Sequence, residues 1–587
     1  MSDQRAASVP SPLIDVIDVI DAPLHPAAAR RTGRSLLAPL APSRRMSARP
    51  VIVAALALLI GAPLVAVLAQ AMAAPDGLWA HLLATVFWSY VTNTLLLCLG
   101  VGLITVVVGT AAAWLVSMYR FPGRRVCEWA LVLPMAMPAY VLAYAYTDLL
   151  QFTGPVQTLL RDATGLRYGG YWFPEIHSVG GAAFVLGFAL YPYVYLLARA
   201  AFNEQSVCAL EVSRTLGCSL FSAFRRVALP MARPAIATGA AFALMETLAD
   251  FGAVKYFGVQ TYTTGIYRAW YATANPTVAA QLAMALLVFV FVVFTLERLS
   301  RRAGRHRHTS NRYRSLTRER LRGPAALGAI ATCVLPVALG FAVPAIALLR
   351  MAADSGADLP SLARLADLAR NTVLLGALGS ATVVTIAVVA LYALRGGRDA
   401  LPRLMGTLCS IGYATPGVVI GIGILIAVGA VDRWVGAGLR EMFGLATGLV
   451  LGGSLVAVVY GCLVRFFAVA YGPLEAAMAK IKPSYEDAAR LLQGKATSVL
   501  RHVHLPLMRS SLVVATLIVF VDVMKELPAT MILRPFNFDT LAIEAFQLAT
   551  TERLDAAAVP SLVIVAVGLL PVIVLCREIR RSRPGQS

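Results

Sequence analysis

At 587 residues, with 58% hydrophobic and 14% charged residues and a mean hydropathy of +0.72, the chain lies outside the ordinary water-soluble class, where about 25% of residues are charged. Its formal charge of +20 is gathered at the two termini and in one internal stretch. That distribution is the one membrane orientation demands, and it leaves nucleic-acid binding unnecessary.

In chain order, residues 1–49 come first, rich in Ala, Pro and Arg (Arg5, Arg30, Arg31, Arg34, Arg44, Arg45, Arg49). They lack the apolar core and cleavage site of a signal peptide and read as a disordered basic cytoplasmic tail. Apolar runs follow near 50–72, 91–117, 127–150, 179–200, 235–254 and 277–296. A basic linker, expected over 301–324 and carrying most of ERLSRRAGRHRHTSNRYRSLTRERLRG (297–323), separates them from a second set near 325–349, 372–394, 404–430, 446–470, 511–530 and 558–576. Crossing a bilayer takes about 20 apolar residues, so the expected fold is an all-α, polytopic transmembrane helical bundle of about 12 spans. An even number of spans puts both termini (the second being residues 581–587) and the linker on the cytoplasmic side, where the positive charge is. Eight cysteines are scattered without a CxxC pair, so neither a zinc site nor a disulfide framework is indicated.

The two sets are copies. NTLLLCLG (93–100) matches NTVLLGAL (371–378), and LPMAMPAYV (133–141) matches IGYATPGVV (411–419) with Pro138 over Pro416, both at an offset of 278. With about six spans each, the halves (50–300 and 325–580) form a parallel repeat, which places a pathway at their interface. ALEVSRTLGCSLFSAFRRVALP (209–230) and YEDAARLLQGKATSVLRHVHLP (485–506) align by their terminal Leu-Pro at an offset of 276. Each reads as a short helix, a glycine, an amphipathic helix and a Leu-Pro opening the next span. An ordinary interfacial helix explains one such segment, but two copies at matching positions favour a surface for a soluble partner.

These segments resemble the EAA signature of the permeases of ABC importers: Glu-Ala-Ala, three residues, Gly, nine residues, then Ile-x-Leu-Pro. The first copy fits with Glu211, Gly217, Leu229 and Pro230, and has Val212 and Ser213 in place of the alanines. The second keeps Ala488, Ala489, Leu505 and Pro506, but has Asp487 for Glu and Gly494 one residue late. Arg225 aligns with Arg501. The resemblance implies that these residues form coupling helices that dock into two copies of an ABC ATPase subunit, with a periplasmic substrate-binding protein as the other partner, in a bacterial inner membrane. The chain holds no GxxxxGK[ST]; QGKATS (493–498) lacks the upstream glycine and follows a helix. ATP is therefore expected to be used by the partner subunit, with no cofactor, metal or catalytic residue in this chain.

The fifth span of each half carries acids in an apolar context: Glu246 aligns with Asp522, and Asp250 with Glu526. An i, i+4 spacing sets each pair on one helix face. Ionisable groups at membrane depth usually face the bundle interior. Two readings stay open: lining of a path for a cationic substrate, or interhelical polar contacts with Lys525 or Lys255. ETLADFGAVKYFGVQTYTTGIYRAWY (246–271) and DVMKELPATMILRPFNFDTLAIEAFQLA (522–549) resemble ferric-iron importer permeases of the fused type. That likeness implies ferric iron as cargo and alternating access as mechanism; thiamine, polyamine, sulfate or phosphonate permeases, or an ion-coupled secondary transporter, are the alternatives. LRYGGYWFPEIHS (166–178) offers Tyr168, Tyr171, Glu175 and His177 as iron ligands, although an interfacial aromatic belt is the commoner meaning of such a stretch.

Overall fold

The computed structural model describes residues 48–581, except 74–76, 168–169, 205–218, 304–317, 357–359, 396–411, 444–450, 482–483, 487–488 and 490–495. Among these residues, ten helices are long and apolar enough to cross a membrane, or twelve if each of two bent pairs is one span. In the first half these are α1 (Pro50–Ala71), α2 (Phe87–Met118), the bent pair α3 (Arg124–Ala136) and α4 (Ala139–Thr164), α5 (Val179–Asn203) and α6 (Phe221–Ala249). After α6 come two short helices, α7 (Gly252–Tyr256) and α8 (Tyr262–Tyr271), and then the span α9 (Pro276–Glu297).

The second half repeats the order. It has α10 (Gly323–Asp354), α11 (Leu362–Leu394), α12 (Gly417–Met442), α13 (Leu455–Ala479) and the bent pair α14 (Leu500–Leu507) and α15 (Arg509–Met524). The short α16 (Pro528–Leu533) and α17 (Leu541–Thr550) follow, and α18 (Leu554–Val574) is the last span. The helical bundle expected from the sequence is thus observed.

The third apolar run of the first half differs from expectation, because it is not one straight span. It turns through 94° between α3 and α4, at Met137-Pro138. A residue before proline is pushed out of the α region, and proline has no N–H to continue the helix; Met137 is accordingly extended (φ −103°, ψ 116°). The second copy breaks at the aligned Pro416, after which α12 starts at Gly417.

Each half is built around tight packing of its second span, α2 against α5 and α11 against α13. Gly109 permits the first of these: a Cβ there would lie 2.8 Å from the Val194 Cβ and 2.9 Å from the Tyr195 backbone nitrogen. The first spans reach across to the other half. α1 packs on α12, and α10 packs on α4 and on the α3 end around Pro134. Tyr146 donates to the carbonyl of Leu339 (2.6 Å), within a wide π turn of α10, and Arg350 pairs with Asp148 at 2.7 Å. Apolar residues of both halves therefore share one continuous core.

The sequence repeat is also a structural one. Asn93 donates to the carbonyl of Gln260 (2.9 Å) and the aligned Asn371 to that of Asp539 (3.1 Å), each tying a second span to the turn that opens the last short helix of its half.

Candidate functional site

The ends of α6 and α15 are where the chain departs from a regular bundle. α6 stops at Ala249 and α15 at Met524, so Asp250 and Glu526 stand beyond the helices that carry Glu246 and Asp522. The i, i+4 pairs consequently do not share one continuous helix face. All four acids nevertheless line a single cavity of about 160 Å³ between the halves. Its wall is paired by the repeat: Glu246 with Asp522, Asp250 with Glu526, and Leu190 with Phe466, each at an offset of 276. The proline breaks at Pro134–Pro138, and Tyr413 just before the second break, close another side.

The acids divide by what they touch. Asp250 accepts the N–H of Val254 in α7 (3.0 Å). Glu526 accepts the N–H groups of Ala529 (2.8 Å) and Thr530 (2.7 Å) in α16, and also the Thr530 hydroxyl. First-turn N–H groups have no intrahelical partner, and a carboxylate both satisfies them and complements the helix dipole. Arg465 adds an ion pair to Glu526 (Nη1–Oε1 3.3 Å). The other two acids are held less fully: Glu246 accepts from the Tyr413 hydroxyl at 3.2 Å, and Asp522 pairs with Lys525 at 2.8 Å.

Of the two cations named by the packing reading, Lys525 pairs with Asp522, while Asp250 and Glu526 are held by backbone N–H groups and Glu526 also by Arg465. Sequence reasoning names Lys525 as a candidate partner but misses Arg465. A lone arginine inside an apolar span (VAVVYGCLVRFFAVAY, 456–471) is the available signal.

Replacing Glu526 by Ala is expected to cost about 3–5 kcal/mol, since it strands a largely buried arginine and two N–H groups. Glu246→Gln, which keeps an acceptor for Tyr413, should stay within about 1 kcal/mol of wild type. Thermal unfolding of the two purified variants in detergent checks this difference.

Of the residues expected to couple to an ATPase, Glu211, Gly217, Asp487, Ala488 and Gly494 lie outside the described residues. Arg225, Leu229 and Pro230 fall on elements that match those of Arg501, Leu505 and Pro506; the counterpart of Ala489 lies outside the described residues. Leu220–Ala223 and Ala496–Val499 are single helical turns at an offset of 276. Each leads into a π turn, Phe224–Ala228 and Leu500–His504, in which Arg225 and Arg501 are both exposed. The N–H of Leu229 donates to the carbonyl of Phe224, and that of Leu505 to Leu500, each five residues back. A proline follows at once in both copies (Pro230, Pro506). Proline in a helix clashes with the carbonyl four residues earlier, and a wider turn relieves that crowding.

Beyond the prolines the copies diverge. The first runs on within α6 to Ala249, whereas the second bends by 68° between α14 and α15. The second also has a polar brace that the sequence does not reveal: Arg395 donates to Glu486, to the carbonyl of Met478 (2.7 Å) and to that of Ile481 (2.8 Å). His504 Nε2 lies 3.2 Å from Glu486, three residues before Ala489.

Within the aromatic stretch at 166–178, the described Tyr171 and His177 side chains contact other protein groups. Tyr168 lies outside the described residues; Tyr171 donates to Gln157 (2.7 Å) and His177 packs its ring against Tyr256 and Phe257. Among the described residues, no three His, Cys, Asp or Glu side chains are gathered so as to hold a metal ion.

Residues 105–305 match the family described as "Binding-protein-dependent transport system inner membrane component". The chain is 22% identical over 490 residues to the Fe(3+)-transport system permease protein FbpB 2 of Haemophilus influenzae, covering 82% of this chain and 88% of that one. It is 25% identical over 234 residues to the sulfate transport system permease protein CysT of Salmonella typhimurium, covering 37% of this chain and 82% of the relative. The molybdenum transport system permease protein ModB of Escherichia coli is 26% identical over 208 residues, covering 34% of this chain and 88% of its own length. The first match takes in both halves, and the other two are about as long as one half. Residues 105–305 thus carry a binding-protein-dependent inner-membrane component domain, and the chain's duplicated bundle of membrane-spanning helices is similar over both halves to a transport-system permease protein.

Proposed function

We propose that this permease moves ferric iron into the cytoplasm by alternating access between its two halves. The observation that carries the reading is the cavity at their interface, where four carboxylates (Glu246, Asp250, Asp522, Glu526) outnumber the two cations among the described lining residues. Carboxylate oxygens suit a hard, highly charged cation. The likeness to a ferric-iron permease across both halves supports the same cargo.

In this reading a loaded periplasmic binding protein docks on the outer face, and two ATPase subunits close on ATP at the cytoplasmic face. The segments around Glu211 and Asp487 relay that closure, through the π turns and their Leu-Pro pairs, into α6 and α15. Those helices end at the cavity, so their displacement opens and closes it. This chain itself binds no nucleotide, and ATP is used by the partner subunits. Both termini and the central linker lie on the cytoplasmic side of a bacterial inner membrane.

An oxyanion cargo is the second reading. It is favoured by Arg465 and Lys525 in the same cavity and by the sulfate and molybdenum relatives. Proteoliposomes containing the chain, its ATPase and its binding protein separate the two: radiolabelled ferric iron is expected to accumulate with ATP, while labelled sulfate and molybdate stay outside. Accumulation of either oxyanion without iron overturns the ferric reading.

A further inference from the structure

The two halves contribute unequally to the cavity, and the inequality is one of charge. α5 and α13 start and end at an offset of 276, and within them Arg465 stands where the first half has Ala189. By the same offset, Lys525 stands where the first half has Ala249. All four of these residues line the cavity. Among the described lining residues, the acids come from both halves and the cations only from the second.

A third difference accommodates the arginine. Gly417 aligns with Ala139 at the offset of 278 that relates the proline breaks. A Cβ at Gly417 would run into the Arg465 Nη1 and would sit 3.1 Å from the Glu526 Oε1. The second half thus has an arginine and, facing it, the absence of the methyl group that would displace it. The first half has an alanine at both positions. Glu526 already receives two backbone N–H groups and the Thr530 hydroxyl, and the aligned Asp250 is held by the first turn of α7 with Ala189, not an arginine, at the matching place. Anchoring α16 alone therefore does not call for the guanidinium.

We propose that Arg465 is a tethered counter-cation that determines specificity: it occupies the carboxylate cavity in place of cargo and admits only a cation charged highly enough to displace it from Glu526. The inference rests on the cationic reading of the cavity and names what that cavity discriminates. A monovalent cation offers the carboxylates no more charge than the guanidinium already supplies, and it must also be stripped of water. A trivalent ion offers three times the charge at similar distance, so the exchange favours it. Lys525 holds Asp522 from its own helix end, three residues away, and is the shorter-range partner.

The test uses terbium(III) as a trivalent probe, with the purified full-length chain in detergent. Tyr140, Tyr193 and Tyr413 line the cavity and sensitise terbium emission. Background is subtracted with the Glu246→Gln, Asp522→Asn double variant. Arg465→Ala is expected to bind terbium at least tenfold more tightly than wild type, because the competing cation is gone. Gly417→Ala, which keeps the charge but pushes it out of place, is expected to shift affinity in the same direction. Ala189→Arg, which adds a second tether, should weaken binding at least tenfold. An arginine that only supports the fold predicts no tightening: unchanged or weaker terbium binding in both Arg465→Ala and Gly417→Ala. That result overturns the proposal. Iron uptake by the wild-type chain is measured separately, so the two readings fail apart. Tighter terbium binding without iron transport sinks the ferric reading alone, and iron transport with unaltered terbium affinity sinks the tether alone.

Discussion

On the proposed ferric-iron function, replacing Glu246 by Gln and Asp522 by Asn together is expected to reduce ATP-driven iron uptake by at least about a hundredfold while leaving the bundle folded. The pair is chosen because these acids, unlike Asp250 and Glu526, do not hold the first turn of a following helix. A carboxylate about 4 Å from a unit charge contributes roughly 4 kcal/mol at an effective dielectric near 20. A third of that from each of two acids is about 2.7 kcal/mol, or a hundredfold in occupancy. The amides preserve volume, and a glutamine in place of Glu246 still accepts from the Tyr413 hydroxyl. The Asp522→Asn change also leaves Lys525 without its ion-pair partner, which further disfavours a cation in the cavity. Initial rates in proteoliposomes, with unfolding temperature as the control, decide the matter. A stable double variant that transports within twofold of wild type would make the cavity a packing feature and place the path elsewhere.

The second large effect is expected at the other end of α6 and α15. Glu211→Ala with Asp487→Ala should lower uptake at least about tenfold and weaken retention of the ATPase on the solubilised permease. Charged anchors at a protein interface often contribute about 2 kcal/mol or more each. Retained binding with normal transport would remove these residues from the coupling role. In the second copy, the brace of Arg395, Glu486 and His504 fixes the chain entering the segment to the carbonyl end of α13.

The membrane-bundle class and the duplication were legible in the chain itself. Apolar run length follows from bilayer thickness, and Pro138 and Pro416 pair by sequence offset alone. The Leu-Pro segments were legible for the same reason: polar residues at a fixed place in two apolar halves need a common cause. Less was legible at the acids. Their i, i+4 spacing suggested a shared face, but a span's end depends on what caps it, and here each outer acid is itself the cap for the next helix. The 94° bend between α3 and α4 was hidden because an apolar run reads alike whether it is straight or folded back.

By itself, then, the sequence determined that this is a duplicated membrane bundle with two polar segments at matching positions and four acids in apolar contexts, because hydropathy, charge and repeat are properties of order along a chain. Only the tertiary structure decided that the four acids meet in one cavity, that two of them are committed to backbone N–H groups, and that Arg465 lies among them opposite Gly417. Those facts depend on which helix of one half faces which helix of the other. Packing across that interface brings together residues more than two hundred positions apart, and no local periodicity records it.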